Sequence, residues 1–200
     1  MQKILEIGLE KEMFLLKGGK IVEPKLYGFP FDEMGFLVEI RSYPSDNHYP
    51  ILSSIQEPET LFKLRAKQLG MELVDKPFFE ASNDFLQRIS KKYRHDKVPC
   101  FTKNIYGTKL SHHTGIMGSK VTSGIHVHFS SRLGAKVLNL PAEEIVKKMD
   151  KKFKPEIEKY GRIKGEWEPK AHGFEYRSLP CNADIHKILE ESFKVLKKFS

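Results

Sequence analysis

The chain has 200 residues, a formal charge of +8 and a hydrophobic content of 40%, enough for one sizeable core but not for two full domains and a linker. Charges run through residues 1–12, where a signal peptide needs an unbroken apolar stretch, and no segment approaches the ~20 apolar residues of a membrane span. The expectation is a soluble, intracellular protein with one domain over residues 1–200 and no membrane partner. Cys100 and Cys181 lie far apart without a CxxC or a neighbouring Cys-His pair, so neither a disulfide framework nor a zinc cluster is indicated. The densest basic run, residues 147–170, is interleaved with Asp150, Glu156, Glu158, Glu166 and Glu168 and reads as a solvated surface, which leaves nucleic-acid binding a minor option.

Taken in chain order, residues 4–16 read as a strand, 17–20 as a turn in which Gly18-Gly19 supplies positive φ, and 21–23 as a short return strand. A turn at 32–35 introduces a second strand, 35–43, ended by Pro44 and by Ser45-Asp46-Asn47. Phe62, Ala66 and Leu69 recur at i, i+4, i+7, with Leu61 and Leu64 beside them, so 57–70 reads as a helix stopped by Gly70. A strand over 71–79 and a helix from Asn83 to about Tyr93 follow. The stretch 95–123, rich in Gly, Ser, Thr, Lys and His, reads as a long functional loop. Strand 124–131 leads into a helix with Pro141 in its first turn and Ile145 and Met149 in its stripe, ending at Pro155. Two strands and a terminal helix complete the chain, the helix capped by Asn182 and burying Ile185, Ile188, Leu189, Leu196 and Phe199. Trp167, Phe78 and Phe79 are expected to pack in the core.

Four strand segments share one pattern, ionisable residues at i and i+2 with apolar or small residues between and around them. They are Glu10-Lys11-Glu12, Glu39-Ile40-Arg41, His126-Val127-His128 and Glu175-Tyr176-Arg177, with Lys11 the one poor fit. Side chains alternate along a strand, so each pair projects from one face while Val38, Ile40, Ile125, Val127, Phe129, Phe174 and Tyr176 point to a core. If the strands share a sheet, its open face gathers four glutamates, two histidines and two arginines. Carboxylates so crowded need a cation, and an oxygen-rich site suits Mg²⁺ or Mn²⁺ better than zinc. Arg41 and Arg177 then offer planar forks to phosphate oxygens. Each pair alone is weak as a signal; four in one phase are not independent accidents.

The blocks GLEKEMFL, FLVEIRSYP, SGIHVHFS and HGFEYRSLP occur in the order seen in phage-type carboxylate-amine ligases, which this chain resembles over residues 5–181. Those enzymes are related to glutamate-cysteine ligase and, more remotely, to glutamine synthetase. The resemblance implies an α+β fold with a glutamine-synthetase-like antiparallel sheet forming an open barrel or funnel, helices on its outer face, and ATP with two or more Mg²⁺ at its mouth. It implies Glu10, Glu12, Glu39 and Glu175 as metal ligands, with His126 or His128 completing a metal site or contacting phosphate. Arg41 and Arg177 are implied as phosphate contacts. Arg41, Arg177 and His128 thus stand as catalytic candidates, and Arg41, His126, His128, Arg177 and Lys120 as cofactor contacts. Lys120 closes a loop, 114–120, whose backbone N–H groups can cover phosphates.

The implied reaction passes the ATP γ-phosphoryl group to a carboxylate, and an amine then displaces phosphate. The substrates would be a small-molecule or peptide carboxylate and an amine, in the cytoplasm, or in the host cytoplasm if the chain is phage-encoded. Family members tend to carry an Arg in the strand before the last block, where this chain reads Gly165-Glu166-Trp167-Glu168; that contact is then lost or moved to Arg162 or Lys164. From its start at the Glu-x-Glu strand, the chain is expected to lack the extra N-terminal domain of glutamine synthetase. Two other classes fit some of the residues: a metal-dependent hydrolase or cupin-like metal binder using His126 and His128, and a non-catalytic, virion-associated binding protein on the ligase fold.

Overall fold

A computed structural model describes residues 3–32, 35–93, 102–107, 116–117 and 119–199. In chain order the elements are β1 (Lys3–Lys17), β2 (Lys20–Ile21), β3 (Leu37–Arg41), α1 (His48–Gln68), β4 (Glu72–Val74), β5 (Phe78–Glu80), α2 (Asn83–Tyr93), β6 (Lys103–Asn104), β7 (Ile116–Met117), β8 (Lys120–Thr122), β9 (Gly124–Leu133), β10 (Lys136–Val137), α3 (Ala142–Lys152), α4 (Lys154–Lys159), β11 (Glu166–Lys170), β12 (Gly173–Pro180) and α5 (Ile185–Leu196). The main sheet is antiparallel and runs β2-β1-β9-β12-β11-β6, with β3 and β4 also paired to β1 and β10 to β9. Among the described residues no strand pair joins its two edges. The fold is therefore an α+β arrangement on an open sheet, not a closed barrel.

Strand alternation decides the two faces. Ile7, Leu9, Met13, Val38, Ile40, Ile125, Val127, Phe129, Phe174 and Tyr176 share one buried cluster with Ile51 and Ile55 of α1, Ile145 and Met149 of α3, Ile157 of α4, and Ile188 and Leu189 of α5. Each such side chain removed from water stabilises the fold by roughly 1.5–3 kcal/mol, which pins the register of every strand carrying them. The helices thus cover one face, and the i, i+2 ionisable pairs are left on the other.

That second face is not uniform. Along β1 its residues are Glu6, Gly8, Glu10, Glu12, Phe14 and Leu16. The last two join a separate cluster with Ile21, Phe36, Leu37, Phe85, Ile89 and Val121. A small sheet, β5-β8-β7, and α2 form the lid of this cluster. One half of the face is roofed by apolar packing, and the other half is left to the ionisable groups.

Several elements differ from the sequence reading for local reasons. Helix α1 begins at His48, nine residues earlier than expected, because the Asn47 side chain accepts the Tyr49 N–H at 3.0 Å and caps it. Its buried stripe is Ile51, Ile55 and Ala66, while Leu61, Leu64 and Leu69 are 63%, 55% and 43% exposed. The single strand expected over 71–79 is two, β4 and β5, in different sheets with Pro77 between them. The helix expected to stop before Pro155 ends at Lys152, and Pro155 then occupies the first turn of a further short helix, α4. Asp184, not Asn182, caps α5, accepting from the His186 and Lys187 N–H groups. Trp167 is buried, and Phe79 packs 5.8 Å from Phe14, but Phe78 is 40% exposed. Cys181 is a buried free thiol just past β12, and burial pushes it up to about 12; Cys100, Glu33, Met34 and most of 95–123 lie outside the described residues. No helix is long and apolar enough to cross a membrane among the described residues.

Candidate functional site

Register brings the expected residues into rows across the open face. Glu10 lies opposite Arg41 on one side and His126 on the other, and Glu12 lies opposite Glu39. In the next row Gly8 faces His128, His128 faces Glu175, and Glu175 faces Glu168. Between Tyr176 and Leu179 β12 advances three residues while β9 advances two. This bulge keeps Arg177 on the site face yet returns Leu179 to the core, a change of phase that strict alternation forbids. Arg162, from the loop before β11, donates to the Arg177 carbonyl at 2.7 Å and so holds the bulge.

The side chains converge closely. His126 Nδ1 lies 3.0 Å from Glu175 Oε1 and 3.5 Å from Glu10 Oε2, and His128 Nε2 lies 3.2 Å from Glu10 Oε1. Glu12 accepts the Gly124 N–H at 2.7 Å and stands 3.8 Å from His126 Nε2. Arg41 pairs with Glu39 and, at 3.2 Å, with Glu10. Arg177 pairs with Glu175 and, at 3.5 Å, with Glu168. Lys170 reaches both Glu168 and Glu175 at 2.9 Å.

Proton affinities follow from this crowding. Burial alone would raise Glu10, but His126 and His128 outweigh it and hold its carboxyl well below the usual range. Glu175 is held low in the same way, burial being overcome by His126 and then by Arg177. Glu39 goes the other way: burial, then Glu10 and Glu12, push it up to about 7. For His126, burial and Arg177 favour the neutral ring, yet Glu12, Glu10 and Glu175 prevail and raise it to about 9. The face is therefore short of positive charge and gathers protons to compensate.

A divalent cation fits this deficit. Donor atoms of Glu10, His128 and Glu175 all lie within 4.8 Å of one another, and donors about 2.1 Å from a shared cation are roughly 3–4.2 Å apart. His126 Nδ1, His128 Nε2 and Glu175 Oε2 are buried without a hydrogen bond of good geometry. Two carboxylates and an imidazole can hold Mn²⁺ or Mg²⁺. Glu12 and Glu39 lie one row away and can extend the oxygen-donor set.

Of the expected site residues, Glu10, Glu12, Glu39, Arg41, His126, His128, Glu175 and Arg177 are brought together, and Lys120 is not. Lys120 on β8 lies 3.7 Å from Glu80 and over the Phe78 ring, in the small sheet. Lys164 pairs with Glu158 instead of reaching the face. Sequence reasoning missed Glu168, Lys170 and His172. The signal was present, since Glu166-Trp167-Glu168-Pro169-Lys170 repeats the i, i+2 pattern and Trp167 packs edge-on against Phe174 in the core. Where an arginine was expected on β11, Glu166 and Glu168 add two further carboxylates.

Comparison with known protein families, with curated proteins and with solved structures finds no match. The functional reading rests on the geometry of this face.

Proposed function

We propose that the chain is an ATP- and Mg²⁺-dependent carboxylate-amine ligase of glutamine-synthetase-like fold, forming an amide through an acyl-phosphate. One observation carries the reading: four glutamates, two histidines and two arginines from four strands meet on one half-open sheet face. A purely structural sheet gains nothing from placing like charges in adjacent rows, whereas triphosphate with its cations needs such a surface.

When bound, Mg²⁺ and ATP would supply the charge neutralisation and the phosphoryl group. Glu10, Glu175 and His128 hold a cation in this reading, with Glu12, Glu39 and His126 beside them. Arg177, in the bulge next to Glu175, and Arg41, whose side chain is 62% exposed at the rim, would hold the phosphates, their guanidinium groups offering positive charge to the phosphate oxygens. A carboxylate flanking the cation would take the proton from the attacking amine.

An ADP-release assay with Mg²⁺ across amino acids and polyamines, run on wild type, Glu12→Ala and Arg177→Ala, tests the proposal; equal turnover in all three proteins rules out the assigned roles. A second reading, a metal-dependent hydrolase or cupin-like metal binder, gains support from a third imidazole, His172, whose Nε2 lies 3.1 Å from His128 Nδ1. Tight stoichiometric zinc without nucleotide binding would favour it.

A further inference from the structure

His172 lies in a two-residue hairpin turn of the sheet. Lys170 pairs with Gly173, so only Ala171 and His172 connect β11 to β12. Gly173 has φ of 146°, and a Cβ there would sit 2.0 Å from the Phe129 carbonyl oxygen; only glycine lets the turn close onto β9. The hairpin therefore delivers the His172 ring to a fixed place, with its Nε2 3.1 Å from His128 Nδ1 and the two ring centroids 5.2 Å apart.

A neutral imidazole has one donor nitrogen and one acceptor nitrogen, so the partner of Nδ1 dictates what Nε2 can do. His128 Nε2 is the atom that faces Glu10, at 3.2 Å, and it is buried without a hydrogen bond of good geometry. If Nδ1 carries the proton and gives it to His172, Nε2 presents a lone pair to the space between Glu10 and Glu175. In the opposite tautomer Nε2–H points at the Glu10 carboxylate and no cation can bind there.

We infer that His172 is a positioning residue: it accepts the Nδ1–H of His128 and thereby sets the tautomer in which His128 Nε2 can ligate a divalent cation with Glu10 and Glu175. This rests on the reading of the face as a cation centre. It adds a residue outside the ligand set to that centre, in the role that outer hydrogen-bond partners of metal-bound histidines play elsewhere.

The test is Mn²⁺ affinity, read from the free-ion paramagnetic resonance signal, on wild type, His172→Ala and His172→Gln. His172 lies at an exposed turn, so the melting temperature serves as the control for folding. His172→Ala is expected to weaken Mn²⁺ binding about 10- to 100-fold at unchanged melting temperature. His172→Gln, whose Oε1 can accept the same N–H, is expected to recover most of the loss. Long-range ¹⁵N–¹H correlations in the cation-free wild type should place the His128 proton on Nδ1, and His172→Ala should lose that preference, a signature that a merely structural role would not produce. Wild-type affinity in His172→Ala overturns the assignment of His172 alone, whereas the proton on Nε2 in the loaded protein removes His128 from the ligand set and overturns this inference with it. A wild type that binds neither Mn²⁺ nor Mg²⁺ overturns the cation centre itself, and this inference with it.

Discussion

Two clusters of charged side chains lie back to back on β1, one residue apart, and they are opposites. On the helix side, Lys11 reaches Glu59 at 2.7 Å and Asp75 at 3.2 Å, and Lys63 of α1 ties to the same two carboxylates. Two ammonium groups meet two carboxylates, and Glu59 is held low because Lys11 and Lys63 overcome its burial. On the open side, the carboxylates of Glu10, Glu12, Glu39, Glu166, Glu168 and Glu175 face the guanidinium groups of Arg41, Arg162 and Arg177 and the ammonium of Lys170. There Glu39 is driven up to about 7 and His126 up to about 9, because burial and carboxylate repulsion raise the first and, for the second, the carboxylates overcome burial and Arg177. A matched cluster explains itself as structure: it lets a lysine in the wrong phase of a strand stay in the fold. An unmatched one is a cost to the folded state that a ligand can remove.

The largest effect expected from this contrast is on turnover. Arg177→Ala should lower ADP release about 10³-fold or more, while Lys11→Met, folded and assayed under stabilising conditions, should turn over like wild type. Stability should respond the other way round. Lys11→Met leaves Glu59 and Asp75 short of a cation and is expected to cost about 3–5 kcal/mol by urea unfolding, with Lys11→Met/Glu59→Leu recovering much of it.

Next in size is the pH dependence of the cation-free protein. Glu39 and His126 both bind protons more tightly folded than unfolded. The Glu39 contribution is complete below its ordinary 4.5 and lost as pH rises to about 7, and that of His126 is complete below 6.5 and lost by about 9. Stability should thus fall from about pH 4.5 to 9, by on the order of 3 kcal/mol per group. Glu10 and Glu175, held low, act only below their ordinary 4.5, where their contribution is lost as pH falls. Urea midpoints across this range should show the decline; Glu39→Gln should flatten its acidic half, and saturating Mn²⁺ should flatten both. A cation-free protein whose stability rises over that range would break the comparison.

The smallest effect separates the centre of the open face from its rim. Arg132 pairs with Glu6 on the same face, but its side chain is 41% exposed. Arg132→Ala should change stability by no more than about 1 kcal/mol and leave Mn²⁺ affinity as it is. A charge on the right face is not enough; it must be buried among unmatched partners.

The period-two pattern was legible because it is local. In Val38-Glu39-Ile40-Arg41 or Ile125-His126-Val127-His128, alternation fixes which side chain meets the core and which does not, whatever the strand pairs with. The same rule applied to residues 166–170 would have found Glu168 and Lys170. Lys11 was readable only as an exception, since its partners, Glu59 and Asp75, come from elements 48 and 64 residues away. The bulge at Arg177 was not legible at all, because it is a mismatch between two strands and neither strand carries it alone.

What the sequence determined by itself is therefore the division of labour within each strand: which residues are buried under the helices and which are gathered on the open face. Tertiary structure decided the rest, namely which rows those residues form, where Phe14 and Leu16 close the face, and that a turn histidine touches His128. The physical reason is range. Alternation is set by the geometry of consecutive peptide units, whereas register, roofing and the meeting of distant side chains depend on contacts whose partners are remote in the chain and can be chosen only when the whole core packs.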